Sequence, residues 1–335
     1  MNSPHFPYGK ALGLCSGGLD SILAALLLRS QGITVCWLAF ETPFFTAEKA
    51  RTAASKNKIP LIVKDITQRY MAMLTNPRCG YGQGMNPCLD CHALMFRIAG
   101  EMLGATQSDF LFSGEVLGQR PMSQTRAGLR FVEKNSGFAG YILRPLSAQL
   151  LDPTWMERQG LVNREQLCGF SGRSRKPQMA LAEAMGVKEY PAPGGGCLLT
   201  DQGYSRRLKD LLDHQAEPGR ADLELLKYGR HLRADAHAKI VVGRHKSDNE
   251  RIMAWYREEQ DILIRMNTWP GPVVVIPRGS DVERQTVLWA ASVCAGYSKA
   301  PRRESAEVIL QTPRGREVAA VVPIANEQVQ SLMIP

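Results

Sequence analysis

At 335 residues the chain is long enough for two domains, and 44% hydrophobic with 22% charged residues excludes a disordered or fibrous protein. Lys and Arg (41) outnumber Asp and Glu (32), and the net charge of +9 suits a polyanionic partner such as RNA. No apolar run reaches membrane-span length and no signal peptide opens the chain, so a cytoplasmic protein without a membrane partner is expected.

Residues 1–10 read as a short lead. The apolar run Ala11-Leu12-Gly13-Leu14-Cys15 reads as a strand, Ser16-Gly17-Gly18-Leu19-Asp20-Ser21 as a tight turn, and the run from Ile22 to Leu28 as a helix. Gly17 and Gly18 let backbone N–H groups close on an anion, and the helix dipole points at the same spot. Ser16 and Ser21 add hydroxyl donors, and Asp20 offers a carboxylate for Mg²⁺ beside a phosphate. No Lys follows the glycines, so this is not the Gly-x-x-x-x-Gly-Lys-Ser/Thr loop. Strands are then expected over 34–40 and 61–65, with helices over about 46–57 and 66–74. This β-α-β-α rhythm predicts a doubly wound parallel sheet with ligands beyond the carboxyl ends of its strands. Ala39 and Phe40 sit at such an end, where they either contact adenine or simply finish a buried strand.

Residues 75–91 form a long Gly/Pro loop containing Cys79 and ending in Cys88-x-x-Cys91, ahead of a helix over about 92–103. Thiols at a helix N-terminus are poised as metal ligands or nucleophiles. A strand over 110–113 leads into Gly114-Glu115-Val116-Leu117-Gly118-Gln119, whose glycines allow close backbone approach to a ligand. Arg164, Arg173, Arg175 and Lys176 make a basic stretch that either touches phosphates or is a solvated loop. Pro191-Ala192-Pro193-Gly194-Gly195-Gly196-Cys197 is a second glycine-rich loop, able to bend a lone thiol toward a distant pair. In a reducing compartment eight cysteines point to metal or catalytic use rather than four disulfides. Cys15, Cys36, Cys168 and Cys294 read as small buried hydrophobes.

After a polar helical connector over 205–227, short strands and helices alternate differently. Strands are expected over 230–232, 238–242, 273–276, 307–311 and 317–322, with a helix over about 281–295. The expected architecture is therefore an α/β, doubly wound parallel-sheet (Rossmann-like) domain over 1–204, a linker over 205–227, and a smaller α+β domain over 228–335.

Ser16-Gly17-Gly18-Leu19-Asp20-Ser21 resembles the PP-loop of ATP pyrophosphatases, which adenylate a substrate with ATP. The segment Gly114–Thr125 and Leu143-Arg144-Pro145-Leu146 resemble signatures of tRNA 4-thiouridine synthetases, and Asn86-Pro87-Cys88-x-x-Cys91 resembles a loop of tRNA 2-thiouridine synthetases. Val242-Gly243-Arg244-His245-Lys246-Ser247-Asp248-Asn249-Glu250, Pro270–Ile276 and Tyr297-Ser298-Lys299-Ala300 resemble the RNA-binding domain of NFACT proteins. The resemblance implies ATP held by Ser16, Gly17, Gly18, Asp20, Ser21, Ala39, Phe40, Gly114 and Gln119, with Mg²⁺ on Asp20. It also implies tRNA as partner and sulfur from inorganic sulfide or a cysteine desulfurase. Cys88, Cys91 and Cys197 would carry the sulfur chemistry as ligands of a [4Fe–4S] cluster. Two other uses of the thiols stay open: a Cys91–Cys197 persulfide and resolving pair, or zinc on Cys88, Cys91, Cys197 and His92. Two other functions stay open as well: a PP-loop enzyme acting on a small molecule, and a non-enzymatic RNA-binding quality-control factor.

Overall fold

Ala11 and Leu12, both without solvent exposure, lie in a strand flanked on both sides by other strands, which is why this segment is apolar throughout. The computed structural model describes residues 9–192 and 197–335. Residues 1–8 and Pro193, Gly194, Gly195 and Gly196 of the second glycine loop lie outside the described residues. Contacts divide the chain into two units, Met1–Cys197 and Leu198–Pro335.

The first unit runs β1 (Lys10–Leu14), α1 (Leu19–Ser30), β2 (Thr34–Glu41), α2 (Glu48–Asn57), β3 (Leu61–Asp65), α3 (Thr67–Leu74), α4 (Cys88–Glu101), α5 (Leu103–Thr106), β4 (Phe110–Ser113), α6 (Arg126–Ser136), β5 (Ile142–Leu143), α7 (Trp155–Arg158) and α8 (Lys176–Ala184). The five strands are parallel in the order β3-β2-β1-β4-β5. The expected doubly wound α/β sheet is present, and its strand order reverses between β1 and β4. Ligands of such sheets bind in the crevice at that reversal, beyond the carboxyl ends of the strands. Below it, Ile22, Leu23 and Leu28 of α1 pack with Trp37, Phe110 and Phe112 in one core.

Helices α4 and α6 differ from expectation, as does α8, which starts at Lys176 within the stretch read as a basic loop. α4 starts at Cys88, four residues earlier than the spacing predicts, because Pro87 acts as its N-cap rather than as a breaker and its carbonyl accepts from Cys91 N at 2.8 Å. The helix α6 was not expected; the Thr125 side chain caps it by accepting from Gly128 N at 3.0 Å.

The second unit contains α9 (Gln202–His214), α10 (Arg220–Leu225), β6 (Arg230–Arg233), β7 (Lys239–Val242), α11 (Lys246–Met253), β8 (Ile262–Met266), β9 (Val274–Ile276), α12 (Arg284–Gly296), β10 (Ala306–Thr312), β11 (Gly315–Val321), α13 (Asn326–Gln330) and β12 (Met333–Ile334). Its strands pair antiparallel in the order β11-β10-β8-β9-β7-β6-β12, and Val287, Ala291 and Cys294 of α12 join the sheet's core. The stretch read as a connector packs on this unit: Asp210 of α9 accepts from Arg233 at 2.7 Å and from Lys239 at 2.9 Å. Among the described residues no helix is long and apolar enough to cross a membrane.

Candidate active site

Gly17 has φ +75°, and a Cβ built on it would lie 2.2 Å from the Lys49 carbonyl carbon of α2. The turn after β1 is thus pressed onto a neighbouring helix, and only glycine fits both the dihedral and the space. Gly18 is the N-cap of α1 in extended conformation and contributes no side chain to the helix end. The positive end of α1 is left to an incoming anion. Ser21 accepts from Ser16 N at 3.3 Å, and the two hydroxyls lie 3.2 Å apart.

On the far side of the crevice, a Cβ on Gly114 would stand 2.4 Å from the Asp20 carbonyl carbon, so the end of β4 abuts the first turn of α1. Gln119 follows and donates from Nε2 to Asp20 Oδ2 at 3.1 Å. The other oxygen, Asp20 Oδ1, is buried with no partner among the described residues, as is Gln119 Oε1. Burial raises the Asp20 pKa, against the Gln119 hydrogen bond and the charges of Arg175 and Arg120. A buried carboxylate oxygen without a donor fits a divalent cation.

Ala39 belongs to the buried core cluster and Phe40 is 7% exposed, so both side chains are packed rather than open at the strand end. Within the basic stretch, Arg175 reaches the Asp20 carboxylate electrostatically. Arg164 does not join it: it pairs with Glu157 at 2.6 Å and donates to the Leu151 carbonyl.

The thiols gather at the same edge of the sheet. Cys88 and Cys91 occupy the first turn of α4. Burial pushes the Cys91 thiol up to about 12; a hydrogen bond from Tyr70 opposes this, and nearby Cys197 and Cys88 add to it. Tyr70 follows β3, is 1% exposed, and packs between Phe44 and Phe45 with ring centroids 5.4 Å from each. The Cys197 sulfur lies 3.9 Å from the Phe44 carbonyl oxygen. Cys88 is also raised by burial, opposed by Asn86 and then by Arg120. The Arg120 charge thus lowers the pKa of both Asp20 and Cys88. Its side chain is exposed and has no ion partner among the described residues. Among the described residues no group of three or more His, Cys, Asp and Glu is arranged to hold a single metal ion. The His92 Nδ1 atom is engaged by Glu115 at 2.8 Å. Cys79 is exposed, and its backbone N–H donates to Asp90 at 2.9 Å.

Sequence reasoning missed Tyr70, Arg120 and a buried ion network. Glu115 accepts from Arg144 Nε at 2.9 Å and from Ser113 at 3.1 Å, and Arg144 also binds Glu133. Burial raises Glu115, but the Arg144 charge and His92 outweigh it and hold the carboxyl at about 2. The network locks the loop after β4, with its Gly114 and Gln119, to β5. The motifs containing Glu115 and Arg144 were visible, but nothing in the sequence pairs residues 29 apart in number.

A parallel sheet reversing at β1 and β4, with a glycine turn at the reversal, makes this a doubly wound α/β domain. Residues 6–150 match the family model of the thiamine biosynthesis protein (ThiI), and residues 229–333 match that of the NFACT protein RNA binding domain. The chain thus joins an N-terminal ThiI-type PP-loop domain to a C-terminal NFACT-type RNA-binding domain. It is 30% identical over 160 residues to a probable tRNA sulfurtransferase of Finegoldia magna, covering 42% of this chain and 36% of that protein. It is 28% identical over 147 residues to a probable tRNA sulfurtransferase of Staphylococcus epidermidis, covering 41% and 34%. The chain therefore spans about a third of the length of these curated relatives. Among solved structures, the predicted subunit of tRNA methyltransferase from Methanocaldococcus jannaschii aligns with a TM-score of 0.35 at 15% identity, over 52% of this chain and 76% of that one.

Proposed function

We propose that this chain is a tRNA sulfurtransferase that converts a uridine to 4-thiouridine. The observation that carries the reading is the glycine turn at the sheet's reversal, where Gln119 holds one oxygen of Asp20 at 3.1 Å and the other, Oδ1, is buried without a partner among the described residues; the Arg120 charge lowers the pKa of both Asp20 and Cys88. Activation and sulfur delivery act on one carbon, so their machinery must open on one space.

Backbone N–H groups at Gly17, Gly18 and the start of α1 would hold the phosphates of ATP, and Asp20 would hold a Mg²⁺ that neutralises their charge. Arg120 and Arg175 add positive charge where negative charge grows. The uridine carbonyl oxygen attacks the α-phosphorus, the bond to the β-phosphate oxygen breaks, and diphosphate leaves. Sulfur then bonds to the ring carbon, the carbon–oxygen bond breaks, and AMP departs with the oxygen of the base. The three thiols suit a sulfur-carrying centre: they are clustered, all sulfur donors, with Cys91 buried and Cys88 and Cys197 half-buried. Cys88, Cys91 and Cys197 would hold a [4Fe–4S] cluster, which when bound leaves one iron open to sulfide from inorganic sulfide or a cysteine desulfurase. Tyr70 donates its hydrogen bond to Cys91 and fixes that sulfur. The uridine lies in folded tRNA and must be turned out to reach this space. The NFACT-type unit supports the reading as the part that grips the RNA backbone.

The test is nucleoside mass spectrometry of tRNA from cells with and without the gene. Loss of 4-thiouridine supports the proposal, loss of 2-thiouridine instead moves the sulfur to the other carbonyl, and survival of both refutes it. Iron and sulfide analysis of anaerobically purified protein separates the cluster from a Cys91–Cys197 persulfide.

A further inference from the structure

The largest apolar side chains left open on the first unit include a stacked pair. Tyr141 and Trp155 are 39% and 40% exposed, with ring centroids 5.7 Å apart and planes inclined by only 20°. The Trp155 N–H donates to the Gly140 carbonyl at 3.0 Å, so the backbone fixes the pair at the amino end of β5. That is the opposite edge of the sheet from the glycine turn.

Beside the pair lies a cavity of about 220 Å³, lined in part by Gly140 and Ile142, which bracket Tyr141, and by Thr154, which precedes Trp155. Arg144 also lines it. This side chain is 2% exposed, and its Nη2 has no acceptor among the described residues although its other nitrogens bind Glu115 and Glu133. A buried guanidinium N–H without an acceptor marks a place where a ligand oxygen is wanted. The lining carries Arg144 and Arg158 against Glu133, Asp152 and Glu157. Carboxylates at least equal cations there, so a free phosphate is repelled. The site asks instead for a neutral planar group with acceptors for Arg144 and N–H donors for a carboxylate such as Asp152, which pairs with Arg130 at 3.2 Å on the surface. The edge of a nucleobase has that pattern, and exposed aromatics with neighbouring arginines are how proteins hold unpaired bases.

We infer that Tyr141 and Trp155 form a platform on which an unpaired base of the RNA substrate stacks, its polar edge entering the cavity under Arg144, remote from the base that reacts. The inference rests on the reading that the chain acts on RNA. Arg158, exposed, shares α7 with Trp155 and lines the cavity, a cation for an adjoining phosphate.

The test uses the full chain with an unmodified tRNA transcript. Ultraviolet cross-linking and peptide mass spectrometry should find a nucleotide adduct on Tyr141 or Trp155. Trp155→Ala should weaken tRNA binding about ten-fold, and Trp155→Phe should keep most of it. Both variants should keep the parent's melting temperature and ATP binding. Adducts confined to other residues, with Trp155→Ala binding tRNA like the parent, would overturn the platform while leaving the RNA reading intact. A parent protein that binds no tRNA would remove that reading and the platform with it.

Discussion

Gly17 is where fold and chemistry meet, and Gly17→Ala separates two costs. Its φ of +75° is left-handed, which costs an alanine about 1–2 kcal/mol. The new Cβ would also meet the Lys49 carbonyl carbon at 2.2 Å, its oxygen at 2.4 Å and Ala50 N at 2.5 Å. These are backbone atoms and cannot swing aside, so overpacking adds about 1–3 kcal/mol. Gly160 supplies the control: its φ is +73°, and nothing lies within 4 Å of its Cβ position. Gly160→Ala carries the dihedral cost alone. At about 2–4 °C per kcal/mol for a unit of this size, Gly17→Ala should lower the melting temperature by about 4–20 °C and Gly160→Ala by about 2–8 °C. Scanning calorimetry of the full chain reads both. Because α2 and α1 must part to admit the methyl, the N–H groups proposed to hold phosphate move, and tRNA-dependent diphosphate release should fall roughly a hundred-fold in Gly17→Ala only. Equal melting losses in the two variants, with ATP affinity unchanged in both, would refute the argument that this turn is pressed against α2 to hold phosphate.

Asp20→Asn should act on activity and stability in opposite directions. Burial raises the Asp20 pKa, so its ionised form opposes folding above that value; the amide should melt slightly higher at neutral pH while diphosphate release falls roughly a hundred-fold or more. Glu115 has the contrary sign: its pKa falls from 4.5 to about 2, so it contributes about 3 kcal/mol above pH 4.5 that is lost as pH drops toward 2. Glu115→Gln strands Arg144 and should cost about 3–5 kcal/mol by denaturant unfolding, with a flatter acid limb between those pH values. Cys88→Ser, Cys91→Ser and Cys197→Ser should each abolish thiouridine formation, read by nucleoside mass spectrometry, yet leave diphosphate release within a few-fold of the parent. Arg120→Ala, alone among these, should depress both half-reactions, each assayed separately.

The parts of the fold written in local pattern were legible. β1, its glycine turn and α1 follow one another as apolar run, Gly17-Gly18 and apolar run, and β3 and β4 fall on the expected residues 61–65 and 110–113. What the pattern hid was long-range. β8 (Ile262–Met266) lies in the middle of its sheet between β10 and β9, so it lacks the alternating polar face that announces a half-buried strand. Pro87 reads as a breaker until the Cys91 N–H is seen closing a helical turn onto its carbonyl. Tyr70 looks like any aromatic on an amphipathic helix, and only the packing of Phe44, Phe45 and Cys91 around it singles it out.

The topology explains why thiols so far apart in sequence meet beside the glycine turn. In a parallel sheet each helix must start near the carboxyl end of the strand before it and run back along the sheet. α1 starts there after β1, and α3, with Tyr70 in its first turn, starts there after β3. The loop 75–87 lets the chain return to that edge before α4 begins, and the hydrogen bond between Tyr70 and Cys91 records the return. Phe44, just beyond β2, meets Cys197 at the same edge. The long Gly/Pro loop is therefore no ornament of the β3-to-β4 crossover. A direct crossover through α3 would have left no helix start free to carry Cys88 and Cys91. Shortening that loop by several residues should separate the thiols from the glycine turn before it disturbs the sheet, so diphosphate release should outlast thiolation in a deletion series. Simultaneous loss of both activities at the first deletion would show that the loop holds the sheet itself.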